Sequence, residues 1–203
     1  LLDIWFRDER HGFAIGAYGY FLATEDGGDN WDPVEIGATD EEVDEFYGGG
    51  FDYHLNHLAR SASGRLFIAA EAGTVYRSDD GGESWVSLPS PYEGSFFGSL
   101  PLDSDALLLF GLRGHLYRSG DAGETWTRVE TSTTAMITDG IRLQDGTVVL
   151  VGLSGTVLVS RDGGLTFTLH QRDDRLGIAS ILQTDDGGLI LVGEDGVRRI
   201  EGL

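Results

Sequence analysis

Apolar residues in this chain fall in short runs, broken at close intervals by glycine, aspartate and serine. Between residues 95 and 129 the runs are Ser95–Leu102, Ala106–Gly111, His115–Ser119 and Thr125–Val129. They are rich in β-branched, aromatic and leucine side chains and are bounded by turn formers, the signature of strands. No stretch shows the roughly 3.6-residue periodicity of an amphipathic helix. The pattern predicts an all-β chain made of units of several short strands.

The turns between the runs repeat. Four segments share the form Ser/Thr-x-Asp-x-Gly-x-x-aromatic, namely Thr24–Trp31, Ser78–Trp85, Ser119–Trp126 and Ser160–Phe167. Their central acids are Asp26, Asp80, Asp121 and Asp162, and the last three stand 41 residues apart. The first gap, 54 residues, is the same step lengthened by an insertion. A second marker keeps the same phase: small residues three apart recur at Gly16/Gly19, Ala70/Gly73, Gly111/Gly114, Gly152/Gly155 and Gly193/Gly196. A period of about 40 residues accommodates four strands of about five or six residues with their turns. That is the period of a β-propeller blade. The expected fold is therefore a β-propeller of four-stranded antiparallel blades forming a single domain over 1–203. Its units run approximately 1–36, 53–90, 94–131, 135–172 and 176–203. Residues 37–52, which include Asp44, Glu45 and Tyr47, read as an acidic inserted loop.

The fifth unit offers only Gly177–Gln183, Leu189–Gly193 and Val197–Ile200, without a box or a fourth strand. Residues 1–8 already form the first strand of unit one. About five blades are thus present, and an open ring would expose apolar surface and unpaired edges. The expectation is that about two further units lie upstream of Leu1 or that partner copies close the ring, with a five-bladed ring as the other alternative.

Composition narrows the function. With 203 residues and 40% hydrophobic content the chain can bury a real core. The absence of cysteine removes disulfides, thiolate catalysis and cysteine-based zinc sites. The formal charge is −20, and all 14 basic residues are arginine. Such a chain is repelled by phosphate backbones and anionic lipid, which argues against nucleic-acid binding. No apolar run is long enough for direct insertion into a membrane as a helix.

Each box residue has a structural task. The aspartate sits in the turn between the third and fourth strands, where its carboxylate accepts backbone N–H groups. Trp31, Trp85, Trp126 and Phe167 bury a large ring, expected to lie against the neighbouring sheet. The opposite ends of the blades carry the second-to-third-strand turns and the blade connections. Tyr18, Glu71, Arg113, Ser154 and Asp195 are placed there, overhung by the insert, as the candidate binding surface. His54 and His57 are too poorly supported by carboxylates to suggest a metal site, and no cofactor motif is present. No catalytic residue is assigned.

The boxes are those of BNR/Asp-box proteins. Together with Gly-x-x-Gly, the short apolar strand and the 41-residue step, they resemble the photosystem II stability/assembly factor family, most plainly along Gly12–Trp31. That resemblance implies a seven-bladed, non-enzymatic propeller of the lumen, periplasm or exterior that serves as an assembly scaffold and holds a protein partner, a membrane-protein precursor in the photosynthetic members. Those members use arginine-rich surface, whereas this chain is acidic, so the expected role lies outside photosynthesis. A second class stays open: part of a carbohydrate-active Asp-box glycosidase, sialidase- or glycanase-like. It would need two carboxylates about 5–10 Å apart across a cleft, and Glu71 and Asp195 are the first pair to consider.

Overall fold

The computed structural model describes residues 1–34, 36, 53–103 and 105–200, so Asp44, Glu45 and Tyr47 lie outside the described residues. The chain folds as five successive antiparallel sheets, each of propeller-blade type. The first blade is β1 (Asp3–Phe6), β2 (Gly12–Ile15), β3 (Phe21–Thr24) and β4 (Asp32–Pro33). The second is β5 (Leu55–Arg60), β6 (Leu66–Ala70), β7 (Val75–Ser78) and β8 (Val86–Ser87). The third is β9 (Phe96–Pro101), β10 (Leu107–Gly111), β11 (Leu116–Ser119) and β12 (Thr127–Arg128). The fourth is β13 (Ile137–Arg142), β14 (Val148–Gly152), β15 (Thr156–Ser160) and β16 (Thr168–Gln171). The fifth has three described strands, β17 (Ile178–Gln183), β18 (Leu189–Gly193) and β19 (Gly196–Ile200). Within every sheet the strands pair in chain order. The chain divides into two compact units, Leu1–Phe96 and Phe97–Leu203.

One strand is shorter than its sequence suggests. The run Thr125–Val129 yields only Thr127–Arg128 as strand. Thr125 is held in the box turn, its N–H donating to Asp121 Oδ1 at 2.9 Å, so pairing with β11 begins two residues later.

The inner strands explain why the sheets stack. All five residues of β14 are buried. Successive side chains of a strand point to opposite faces. Val148 and Leu150 accordingly join Leu108, Phe110 and Leu116 of the third blade. Val149 and Val151 join Ile178, Ile181, Leu189 and Leu191 of the fifth. In the first unit, Ile15 and Phe21 pack on Leu55, Leu58, Leu66 and Ile68.

Polar groups on the first strands lace neighbouring blades together. β5, β13 and β17 each carry a register shift at the same repeat position, between Leu55/His57, Ile137/Asp139 and Ile178/Ser180. The extra residue of such a bulge is left out of the ladder and is re-aimed. Asn56 Nδ2 thus donates to Phe96 O at 2.8 Å, and Thr138 Oγ1 to Ile178 O at 2.6 Å. Asp3 and Asp139 act one position further on. Asp3 Oδ2 accepts from Leu58 N at 2.7 Å, and Asp139 Oδ2 accepts from Ile181 N at 2.9 Å.

Leu150 is fully buried in the third–fourth blade core. Leu150→Ala is expected to cost about 2–5 kcal/mol in urea unfolding. Val86→Ala, on the half-exposed fourth strand of the second blade, is expected to stay within about 0.5 kcal/mol. Equal effects from the two variants would contradict the interleaved packing.

Candidate functional site

The box turns close with one hydrogen-bond pattern. In the second blade Asp80 Oδ1 accepts from Ser78 Oγ at 2.7 Å and from Ser84 N at 2.9 Å, while its Oδ2 accepts from Ser84 Oγ at 2.5 Å. Asp121 and Asp162 do the same with Ser119 and Thr125, and with Ser160 and Thr166. In the first blade the partners of Asp26 are Thr24 and Asn30. The opening hydroxyl is equally occupied, since it accepts from the glycine N–H four residues on in every box. The serine or threonine at the first position and the hydroxyl or amide at the seventh are thus as structural as the acid, a role the motif reading did not assign. These bonds hold the carboxylates ionised. Asp26, Asp121 and Asp162 are lowered from an ordinary 3.8 to about 2, chiefly by the side-chain hydrogen bond from the seventh residue. Asp80 is lowered further for the same reason.

Two of the box aromatics meet the preceding blade. Trp85 packs edge-on against Phe13 and Phe21 at centroid separations of 6.4 and 5.5 Å, and Phe167 packs on the third–fourth blade core. Close approach requires Gly82, where an added Cβ would lie 2.2 Å from the Phe13 ring. The Trp31 ring stands edge-on to Phe6 of its own blade at 5.9 Å. Phe6 rises from β1 directly beside the box turn.

At the other end of the strands, the second-to-third-strand turns place one non-glycine residue in the left-handed region. These are Tyr18 (φ 55°), Ala72 (φ 51°), Arg113 (φ 57°) and Ser154 (φ 55°). The residue equivalent to Tyr18 in the second blade is therefore Ala72, and Glu71 stands one position earlier. Asp195 departs as well: in the fifth blade only Gly196 of this turn has a positive φ (77°), because Gly193 and Gly196 pair directly across a two-residue loop.

In the first unit the structure brings Tyr18 and Glu71 together through a residue between them. The Tyr18 ring stands edge-on to His54 at 5.1 Å. Glu71 Oε2 accepts from His54 N at 3.1 Å, and Glu71 Oε1 lies 3.6 Å from His54 Nδ1. Tyr18, Tyr20 and Tyr53 expose large parts of their rings. Glu71 also returns its own N–H to His54 O, so it clamps the entry to β5. Glu194 does the same for Gly177 before β17. His57 lies inside β5, across the bulge from His54. No group of three or more metal-ligating side chains gathers among the described residues.

In the second unit the three expected residues do not form one cluster. Ser154 offers its carbonyl to Gln171 Nε2. Asp195 is held by Arg198 through two hydrogen bonds of 2.6 and 2.9 Å. Arg113 is exposed beside His115, whose pKa is lowered by burial first and then by Arg128 and Arg113. The carboxylate pair considered for sugar chemistry is divided between the units, with Glu71 engaged by His54 and Asp195 by Arg198.

The model of the photosynthesis system II assembly factor YCF48 family matches residues 1–197. The chain belongs to this family. Among Ycf48 relatives, the photosystem II assembly lipoprotein of Synechococcus sp. (strain CC9902) is 30% identical over 87 residues, covering 43% of this chain and 23% of that protein. The chloroplastic photosystem II stability/assembly factor HCF136 of Arabidopsis thaliana is 32% identical over 91 residues, covering 44% of this chain and 21% of that protein. A solved structure of YCF48 bound to D1 peptide superposes with a TM-score of 0.73 at 22% identity, over 98% of this chain and 62% of that one. YCF48 from Cyanidioschyzon merolae gives 0.73 at 21%, over 100% and 67%. These structures share the propeller fold. The matched stretches span about a fifth to a quarter of the curated Ycf48 and HCF136 chains. The expectation of a role outside photosynthesis finds no support among these relatives.

For this Ycf48-family chain the box acids also set an acid limit. Their pKa values are depressed by folding, so their contribution is complete above the ordinary 3.8 and is lost as pH falls towards about 2. Stability measured by denaturant titration is expected to be level from neutral pH to roughly pH 5 and to fall steeply below it. Asp121→Asn should be less stable at neutral pH and show a shallower acid limb. A parallel limb would remove Asp121 as a contributor.

Proposed function

We propose that this chain is a non-enzymatic protein-binding module, an assembly or stability factor that holds a polypeptide partner against the second-to-third-strand turns. The observation that carries the reading is the family match along residues 1–197. Two further observations support it. The box carboxylates are all engaged within their own turns, and a structural relative is described as bound to D1 peptide. The partner is a protein, in the photosynthetic setting a subunit of a membrane complex. In the first unit the contact surface is Tyr18 and Glu71; in the second unit, taken by itself, it is Arg113, Ser154 and Asp195. Asp44, Glu45 and Tyr47 of the insert belong to the same proposal. The compartment is an exported one, periplasmic or otherwise outside the cytoplasm, in keeping with the lipoprotein description of the Synechococcus relative.

Tyr18→Ala and Glu71→Gln test this reading. Each should weaken capture of the partner, or of a D1-derived peptide used as its stand-in, by roughly fivefold or more, as loss of a contact worth about 1 kcal/mol requires. Circular dichroism and the unfolding midpoint should stay close to wild type for Tyr18→Ala. Unchanged capture by both variants would rule out this surface in the first unit.

A further inference from the structure

The box end of the second unit holds a cavity of about 480 Å³ lined by Arg118, Arg142 and Arg161 together with Leu102 and Val148. It lies at the opposite ends of β10, β11, β14 and β15 from Arg113 and Ser154, so it is distinct from the proposed partner surface.

None of the three arginines forms an ion pair with a described carboxylate. This is not for want of acids in a chain with 34 of them. Arg65 and Arg77 share Asp79, Arg172 holds Asp174, Arg198 holds Asp195 and Arg199 holds Asp186. Arg118 and Arg142 are instead held by backbone carbonyls. Arg118 Nε donates to Gly163 O at 3.0 Å, and Arg142 Nη1 donates to Leu102 O at 2.5 Å. A carbonyl fixes a guanidinium without neutralising it, and leaves further N–H groups of the fork free to donate.

Two carboxylates line the cavity, and each is turned towards backbone amides. Asp103 Oδ1 accepts from Asp105 N and Ala106 N at 3.0 and 2.7 Å, and Asp145 Oδ1 accepts from Thr147 N at 2.9 Å. The described lining therefore carries three positive and two negative charges, a net positive spot on a chain of formal charge −20.

The repeat supplies its own control. Arg77 in the second blade and Arg118 in the third are the same position, one before the box serine. In the second blade the residue after that serine is Asp79, which neutralises Arg77 at 3.0 Å. In the third blade it is Gly120, and in the fourth it is Arg161. Where the second blade sets an acid after the box serine, the third and fourth set Gly120 and Arg161; Asp103 and Asp145 act on these arginines electrostatically but form no ion pair with them.

We propose that this cavity binds a small ligand through a doubly charged oxyanion group, a phosphate or sulfate. Guanidinium forks match the oxygens of such groups in pairs and are more weakly hydrated than ammonium groups, which favours this class of ligand. The cavity is larger than one such ion and falls within the size range of small-molecule sites, so an ester with an organic portion fills it better than the free ion.

Calorimetric titration of the purified chain tests the assignment, using inorganic phosphate, sulfate and glucose 6-phosphate at ionic strength held constant with chloride. One site per chain is expected, with the ester tighter than inorganic phosphate. Tighter binding of the free ion keeps the oxyanion site and assigns it to the inorganic anion. Arg161→Gln should weaken binding by at least about tenfold, the loss of one charge-assisted contact. Gly120→Asp should do so too, by giving Arg118 the partner that Arg77 already has. The backbone there accepts a side chain, since a Cβ on Gly120 would meet only Arg118 Nη1, at 3.6 Å. Arg65→Gln, outside the cavity, should bind as wild type. Circular dichroism confirms that each variant is folded. Absence of binding by all three anions overturns the proposal. So does equal affinity in Gly120→Asp and wild type.

Discussion

A strand buried on both faces needs a covering layer on each side, and β14 is such a strand. Val149 and Val151 serve one core while Val148 and Leu150 serve another. Burial of a Val or Leu side chain stabilises by about 1.5–3 kcal/mol, so neither set can be left in water. The constraint passes from blade to blade: the fourth sheet requires the third and the fifth. The side chains of Ile4 and Phe6 on β1 and of Leu182 and Val192 in the fifth blade are exposed.

Hydrogen bonding then determines how the layers sit on one another. Apolar packing is non-directional, but Asp3, Asn56, Thr138 and Asp139 bond to the backbone of the next blade's first strand. These are directional contacts at one depth of the sheet. The bulges that re-aim Asn56 and Thr138 are the local departure from the ladder that makes the contact possible.

Much of this was legible in the sequence, because the box is a local motif whose parts sit within eight residues and recur at a fixed step. The blade architecture and the position of its turns followed from that spacing. The parts that escaped depend on contacts between repeats. Asp3 and Asp139 occupy a position that reads His57, Gly98 and Ser180 elsewhere, so no pattern marks it. The turn register is legible as well, since aligning Gly16/Gly19 with Ala70/Gly73 puts Ala72, with Glu71 one position before it, at the tip. The arginine cavity is assembled from three different strand ends, and only the missing counterpart of Asp79, at Gly120, hinted at it.

The left-handed residue at the tip of the second-to-third-strand turn in the first four blades has a consequence for how such a chain diversifies. Its φ near 55° is imposed by the hairpin, and it is occupied by tyrosine, alanine, arginine and serine in successive blades. Unbranched side chains tolerate this geometry at modest cost, whereas β-branched ones do not. The tips are therefore sockets with a shape filter and almost no chemical filter. Aromatic, cationic or polar groups can be exchanged there independently, one blade at a time, while the inter-blade cores beneath remain unaltered.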